Sequence, residues 1–341
     1  MTFNIKKNQK IEEVQKTPLF YRGLGYILGS FVIPFSEKAN RESYKGQIND
    51  VSNIVGSSLE NLLRMSFSHP IKSVYFFKSF FNWISGYFNA QVSARGKEKF
   101  FVYTQFDKDI PFIPEEDIKY VSIYPVIPYI IKELSDVLST TEIRYTINSF
   151  MELNKMGIDV FNKYPSIMPR FFNHNRLILK FIQDYDEPLN CLSSFHIAHA
   201  LFIENIFENF FSSYFKKGEI FDLVEPLPIN ILNSVLYTKQ HSIVDVSFGI
   251  LCTKIFFEKK FQKECNTFIS KFDSIKSQNP LIKYDEIEKV YNEILEMYRK
   301  KNDFSDTVKS YLEEKEFVKL NPGENIENCY FDTLSKKIVS F

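Results

Sequence analysis

Between Glu142 and Phe161 apolar side chains recur at Ile143, Ile147, Phe150, Leu153, Met156 and Val160. Steps of three and four residues gather all six on one face of a helix, so this stretch is expected to be an amphipathic helix. It stops at Lys163-Tyr164-Pro165, because proline cannot continue a helix and restricts the residue before it. Composition extends the argument to the rest of the chain. Phe 36 and Tyr 19 supply bulky side chains of the kind that fill helix–helix contacts, and Gly 11 is too few for a turn-rich β protein. The expected fold class is all-α.

At 341 residues the chain holds one large domain or two smaller ones, and it is long enough to bury a sizeable core. Lys+Arg 42 balances Asp+Glu 42, so charge gives no argument for nucleic acid or for an anionic membrane. Cys191, Cys252, Cys265 and Cys329 are widely spaced with no Cys-x-x-Cys pair, which reads as free, mostly buried thiols rather than a zinc site. The first residues are polar and charged, without the apolar centre of a secretory signal. No run reaches the roughly 18–20 uncharged apolar residues that a spanning helix needs. Gly23–Ser36, Ser79–Ala94, Tyr120–Ile131 and Pro188–Ile203 come nearest. After His199, Glu204 and Glu208 share a helical face, as in an amphipathic, water-exposed helix.

Along the chain, 1–17 reads as disordered or loosely helical, Phe20–Phe35 as a packed helix, and Glu37–Asp50 as a loop. Val51–Met65 has helical spacing. Pro70–Ala94 is dense in aromatics, which suits core packing better than a membrane-interface belt. Gly96–Asp109 resembles a charged connector. The helix after Pro114 carries Pro125 and Pro128 and is expected to kink or break there. Pro226–Pro228 breaks the chain again, and Ile229–Phe261 reads as one helix or a helix pair. Lys263–Phe341 reads as a charged helical extension without a catalytic group.

Three short stretches carry polar residues suited to chemistry. Lys163 and Arg170 stand seven apart around a proline-restricted loop; taken alone, they are an ordinary pair of solvated bases. Ser193 and Ser194 precede His196 at the start of an apolar helix. Either serine suits an N-cap, and a helix N-terminus with hydroxyls is also a natural phosphate seat. Ser234-Val-Leu-Tyr-Thr-Lys-Gln-His241 leads to Asp245. Residues four apart on a helix are neighbours, so a carboxylate there can hold one imidazole nitrogen and leave the other free. A capped, solvated pair is the plainer reading of that spacing.

Together and in this order, the stretches resemble the type-2 phosphatidic-acid phosphatase and vanadium haloperoxidase superfamily. Its signature runs K-x6-R-P, then P-S-x-H, then S-R-x5-H-x3-D. Lys163 and Arg170 fit the first element, Ser194 and His196 the second, and Ser234, His241 and Asp245 the third. Ile110-Pro-Phe-Ile-Pro114 and Thr238-Lys-Gln-His241 look like the lipid-phosphatase branch. The chain departs from the signature at Phe171 and Ser193, each replacing proline, and at Val235, replacing a phosphate-binding arginine.

The resemblance implies a helical bundle of that kind: an N-terminal region over 1–106, a catalytic core over 107–262 and the extension over 263–341. It implies a metal-independent, cofactor-free phosphatase acting on a phosphate monoester, a lipid phosphate or related compound. His241 would be the nucleophile, Asp245 its orienting partner and His196 the acid and base. Lys163, Arg170, Ser194, Lys239 and Ser234 would hold the phosphate, with Lys239 standing in for the missing arginine. The alternatives are phosphoryl or head-group transfer to a lipid alcohol, and a binding protein of the same fold without turnover. Haloperoxidase activity has no support in the residues. No nucleic-acid partner is expected, and a membrane surface stays open. The location implied is cytoplasmic or peripheral to a membrane, with a multi-pass membrane protein as the alternative.

Overall fold

The computed structural model describes residues 45–340 apart from 172, 190, 213–214, 216–218, 264, 266–267, 325 and 327. Expectations for 1–44 fall outside that range, but 45–50 are the first turns of a helix rather than loop. The described chain is predominantly helical. Its long helices are α1 (Lys45–Ser68), α2 (Pro70–Arg95), α3 (Ile123–Val137), α4 (Thr140–Lys163), α5 (Phe195–Ile206), α6 (Leu227–Tyr237), α7 (Ile243–Phe261), α8 (Tyr284–Lys301) and α9 (Phe304–Glu314).

Helix α4 follows its periodicity. Ser139 and Glu142 close a capping box at its start, with Ser139 N–H donating to Glu142 Oε2 at 2.7 Å. Ile143, Ile147, Leu153 and Val160 are buried, and each contributes roughly 1.5–3 kcal/mol by leaving water. Against this face packs α2, whose Phe76, Ile84 and Phe88 are buried and whose Trp83 meets Phe150 edge-on at 6.3 Å. The aromatic stretch is therefore core packing on one side, while Phe81 stays exposed.

The proline-bearing segment breaks before its prolines. A short helix Asp117–Val121 ends at Ser122, and α3 runs unbroken through Pro128. Pro125 lies in the first turn of α3, where the missing N–H has no intrahelical partner to lose. A larger departure concerns α5, which is buried on all sides from Ile197 to Ile206 instead of facing water. It packs on both α6 and α7. Glu204 is buried, and Lys271, on the short helix Ile269–Phe272, meets it at 2.9 Å and Glu208 at 2.9 Å. Burial pushes the Glu204 carboxyl up to about 7, against the pull of Lys271.

The supposed connector after α2 is an interior element. Strand β1 (Lys99–Phe101) lies between β2 (Ser166–Ile167), parallel to it, and β3 (Lys319–Leu320), antiparallel to it. These three come from before, within and after the central helices, and one apolar cluster runs from Met65 to Phe331. The C-terminal extension is helical as far as the end of α9, short helices such as Ile275–Gln278 preceding α8. Beyond β3 a hairpin forms from β4 (Cys329–Asp332) and β5 (Lys337–Ser340). All four cysteines are free, three of them buried. Among the described residues no helix is long and apolar enough to cross a membrane.

The starts of α5 and α7 lie side by side. Ser194 N–H donates to Asp245 O at 3.0 Å, and a Cβ on Gly249 would lie 2.8 Å from Ser194 O. A glycine is therefore required at this crossing, and it brings the residues before the two helices together.

Candidate functional site

His241 sits in the loop Thr238–Ser242 between α6 and α7. The pair of helices is broken without proline or glycine; Lys239 takes the turn in the left-handed region, at φ +53°. Ser242 is the N-cap of α7, so His241 precedes the helix and Asp245 is its third residue. The carboxylate accordingly has another task. Asp245 Oδ2 accepts the Ser242 N–H at 2.7 Å, and Ser242 Oγ accepts the Asp245 N–H at 3.1 Å, closing a capping box. His241 Nδ1 lies 3.6 Å from that same Oδ2 and 3.2 Å from Cys191 O. An N–H at Nδ1 donates to the Cys191 carbonyl with the carboxylate close behind it, and this tautomer leaves the Nε2 lone pair free.

His196 is the second residue of α5. Its ring stacks on Tyr120 with centroids 4.2 Å apart, meets Tyr124 edge-on at 6.0 Å, and stands 5.7 Å from the His241 ring. Burial holds its imidazole well below the usual range, and the neighbouring His241 and His199 act in the same direction. Arg170 completes the group. Its Nη1 donates to Gln240 Oε1 and its Nη2 to Asp186 O at 2.9 Å. Gln240 is fixed in turn, its amide donating to Thr238 O at 3.0 Å. Asp186 accepts from Tyr87 Oη at 2.9 Å and from Gln91 on α2; burial raises its carboxyl, opposed first by Arg170.

Three polar atoms of this group are buried without a protein partner: Arg170 Nε, His196 Nε2 and Asp245 Oδ1. Buried polar atoms are normally paired, and an unpaired one costs about 1–3 kcal/mol. The N-terminus of α5 opens here too, carrying roughly half a positive charge, whereas that of α7 is already answered by Asp107 and Asp245, which accept the Ile243 and Ser242 N–H groups. A guanidinium edge, an imidazole nitrogen and the start of α5 are groups suited to an oxyanion, while Asp245 Oδ1 can only accept and suits a donor.

The sequence-derived set divides. Arg170, His196, His241 and Asp245 come together, and Ser194 adjoins them as N-cap of α5, its Oγ 3.5 Å from the Ile197 N–H. The other three stand elsewhere. Lys163 is exposed at the end of α4 and donates to Ser305 Oγ at 3.1 Å. Ser234 is fully buried in α6 and donates to Ile231 O at 2.9 Å, so its hydroxyl serves its own helix. Lys239 is buried and donates to the carbonyls of Asp107 and Ile110, with Tyr103 beneath it at 5.6 Å. Burial pulls its ammonium down to about 8, with Asp107 and Asp109 opposing. It does not stand in for an arginine at position 235, where Val235 belongs to the apolar core.

His199 is buried, 2.8 Å from Asn154 Oδ1 and stacked on Phe195; His69 pairs with Asp136 at 2.7 Å, and His174 with Gln183 at 3.0 Å. Tyr120, Tyr124 and Asp186 join the group from outside the three polar stretches, and Gln240 joins it from within the third. The tyrosines are four apart in sequence, a spacing that points to a shared face, while nothing in sequence marks Asp186. Among the described residues no group of three or more His, Cys, Asp or Glu side chains gathers as a metal ion requires. Comparison of the chain with protein-family models, curated proteins and solved structures returns no match.

Proposed function

We propose that this chain is a phosphatase of the type-2 phosphatidic-acid phosphatase kind, hydrolysing a phosphate monoester through a phosphohistidine on His241. The observation that carries the reading is the meeting of His241, His196 and Arg170 around buried polar atoms that no protein group satisfies. Phosphoryl transfer has a loose, charge-spread transition state, so positioning and cationic stabilisation do most of the work. Arg170 grips non-bridging oxygens through Nε–H, assisted by the N-terminus of α5. His241 Nε2 attacks phosphorus, and the bond to the ester oxygen breaks. Cys191 O and Asp245 hold the opposite nitrogen, stabilising the charge that the ring acquires.

His196 protonates the leaving alcohol and then takes a proton from the water that releases phosphate. Burial disfavours the cation of its imidazole. A bound phosphate dianion reverses that preference and loads the acid. The substrate class is a lipid phosphate or a related monoester; transfer to a lipid alcohol instead of water uses the same groups.

One observation favours a second reading. Lys163 and Lys239 both lie outside the group, leaving Arg170 as its one strong cation among the described residues. A protein that binds phosphate esters without turnover fits that loss. Hydrolysis of p-nitrophenyl phosphate in chelator, with and without orthovanadate, separates the two. Chelator-resistant, vanadate-sensitive release that vanishes in His241→Ala supports the phosphatase. Vanadate binding without release supports the binding protein, and absence of both overturns the oxyanion reading.

A further inference from the structure

The loop bearing His241 is tied to a segment far away in sequence. Asp107, on the short helix Gln105–Asp109, is buried, and its Oδ2 accepts the Thr104 N–H and hydroxyl at 2.7 Å each. The other oxygen leaves this local box. Asp107 Oδ1 accepts the N–H of Ile243, the first residue of α7, at 2.6 Å. In the opposite direction, the ammonium of Lys239 reaches the backbone carbonyls of Asp107 and Ile110. A third tie joins the Ile113 N–H to the carbonyl of Tyr237, the last residue of α6, at 2.9 Å. Residues 104–113 thus grip the end of α6, the turn itself and the start of α7.

We propose that Asp107 and Lys239 are positioning residues for His241, clasping the loop Thr238–Ser242 at its turn and at its exit so that Nδ1 stays between Cys191 O and Asp245. The proposal rests on the phosphatase reading for its catalytic consequence, but not for its geometry. Lys239 sits at φ +53° without being glycine, a conformation that persists only where the surroundings over-determine it. Gln240 N–H and His241 N–H both point at Val235 O, at 3.0 and 3.2 Å. The backbone is therefore closely constrained between the two ties, and the His241 ring has little freedom to compensate for a shift. Neither Asp107 nor Lys239 touches the buried unpaired atoms at Arg170, His196 and Asp245. Their action on chemistry must pass through the loop.

The test uses the full chain and three variants, Lys239→Met, Lys239→Arg and Asp107→Asn. The His241 ring is followed by long-range 1H–15N NMR, orthovanadate affinity by calorimetry, and p-nitrophenyl phosphate turnover by initial rates. Wild type is expected to show a single tautomer protonated at Nδ1. Lys239→Met and Asp107→Asn should mix the tautomers and lower kcat by about tenfold or more, as a displaced reacting group does. KM should stay within about twofold, because no substrate contact is removed. Lys239→Arg, which keeps the donors, should restore tautomer and rate together.

A folded Lys239→Met with an unchanged tautomer and unchanged vanadate affinity overturns the clasp. So does failure of both Lys239→Met and Asp107→Asn to fold, which would make the pair part of the core only. If wild type releases no phosphate, the phosphatase reading falls and the NMR comparison alone decides the clasp.

Discussion

Replacing Gly249 with alanine puts a methyl group into the seam between α5 and α7, and the structure says what it strikes. The new Cβ would lie 2.8 Å from Ser194 O, 3.2 Å from Ile197 Cβ and 3.4 Å from Ser194 N. The nearest atom is backbone, in the residue that caps α5 and whose N–H is bonded to Asp245 O. Restoring ordinary contact needs about half an ångström of separation, which strains that bond and moves His196 relative to His241. Overpacking of this kind costs about 1–3 kcal/mol, while alanine in place of glycine returns about 1 kcal/mol of helix propensity. The net loss of stability should be no more than about 2 kcal/mol. The site is more sensitive. Since a 1 Å displacement can cost about a hundredfold, half of that should lower turnover by about tenfold.

Denaturant unfolding and p-nitrophenyl phosphate kinetics measure the two effects on the same preparation. Gly56→Ala is the control, because a Cβ there meets nothing within 4 Å. It should keep the rate and gain up to about 1 kcal/mol. If Gly249→Ala matched the control in both respects, the close approach of α5 and α7 would not be what sets the histidine pair.

Two further predictions concern buried charge. Burial pulls the His199 imidazole down to about 3 in the folded chain, against 6.5 when unfolded. As pH falls the unfolded chain takes the proton first, so this contribution to stability is complete above pH 6.5 and is lost towards pH 3. It amounts to about 5 kcal/mol over the whole window; NMR titration of His199 near 6.5 in the native state would contradict it. Lys271→Met lets the buried Glu204 carboxyl, already held at about 7, take up a proton, so it should cost only the lost pair, about 1 kcal/mol. Adding Glu204→Gln should recover most of that, and a double variant no more stable than the single would show that the pair is not coupled.

The parts of the fold legible in sequence were those governed by local rules. Helix α4 follows the periodicity from Glu142 and ends where Pro165 requires, while its start two residues earlier is set by the Ser139–Glu142 capping box. The short strands were not, since two to four residues carry no usable alternation. The burial of α5 and the role of Lys271 depend on contacts between distant segments. At the candidate site the spacing of His241 and Asp245 suggested neighbours on one helix, but their closeness has a different local cause: the carboxylate caps α7, and the loop outside the helix still keeps it near the ring. Lys239 shows the limit most clearly. Its charge suggested a phosphate ligand, yet a left-handed turn directs it to the carbonyls of Asp107 and Ile110. Gln240, next in sequence, is the residue that reaches Arg170.

The claim that His241 is the nucleophile has a direct chemical signature. Rapid quenching of the full chain during turnover of a 32P-labelled phosphomonoester, followed by peptide mapping, should place an acid-labile, base-stable phosphoryl group on His241. The label should be absent from His241→Ala. Turnover with no labelled histidine, or with the label on another residue, would contradict the account.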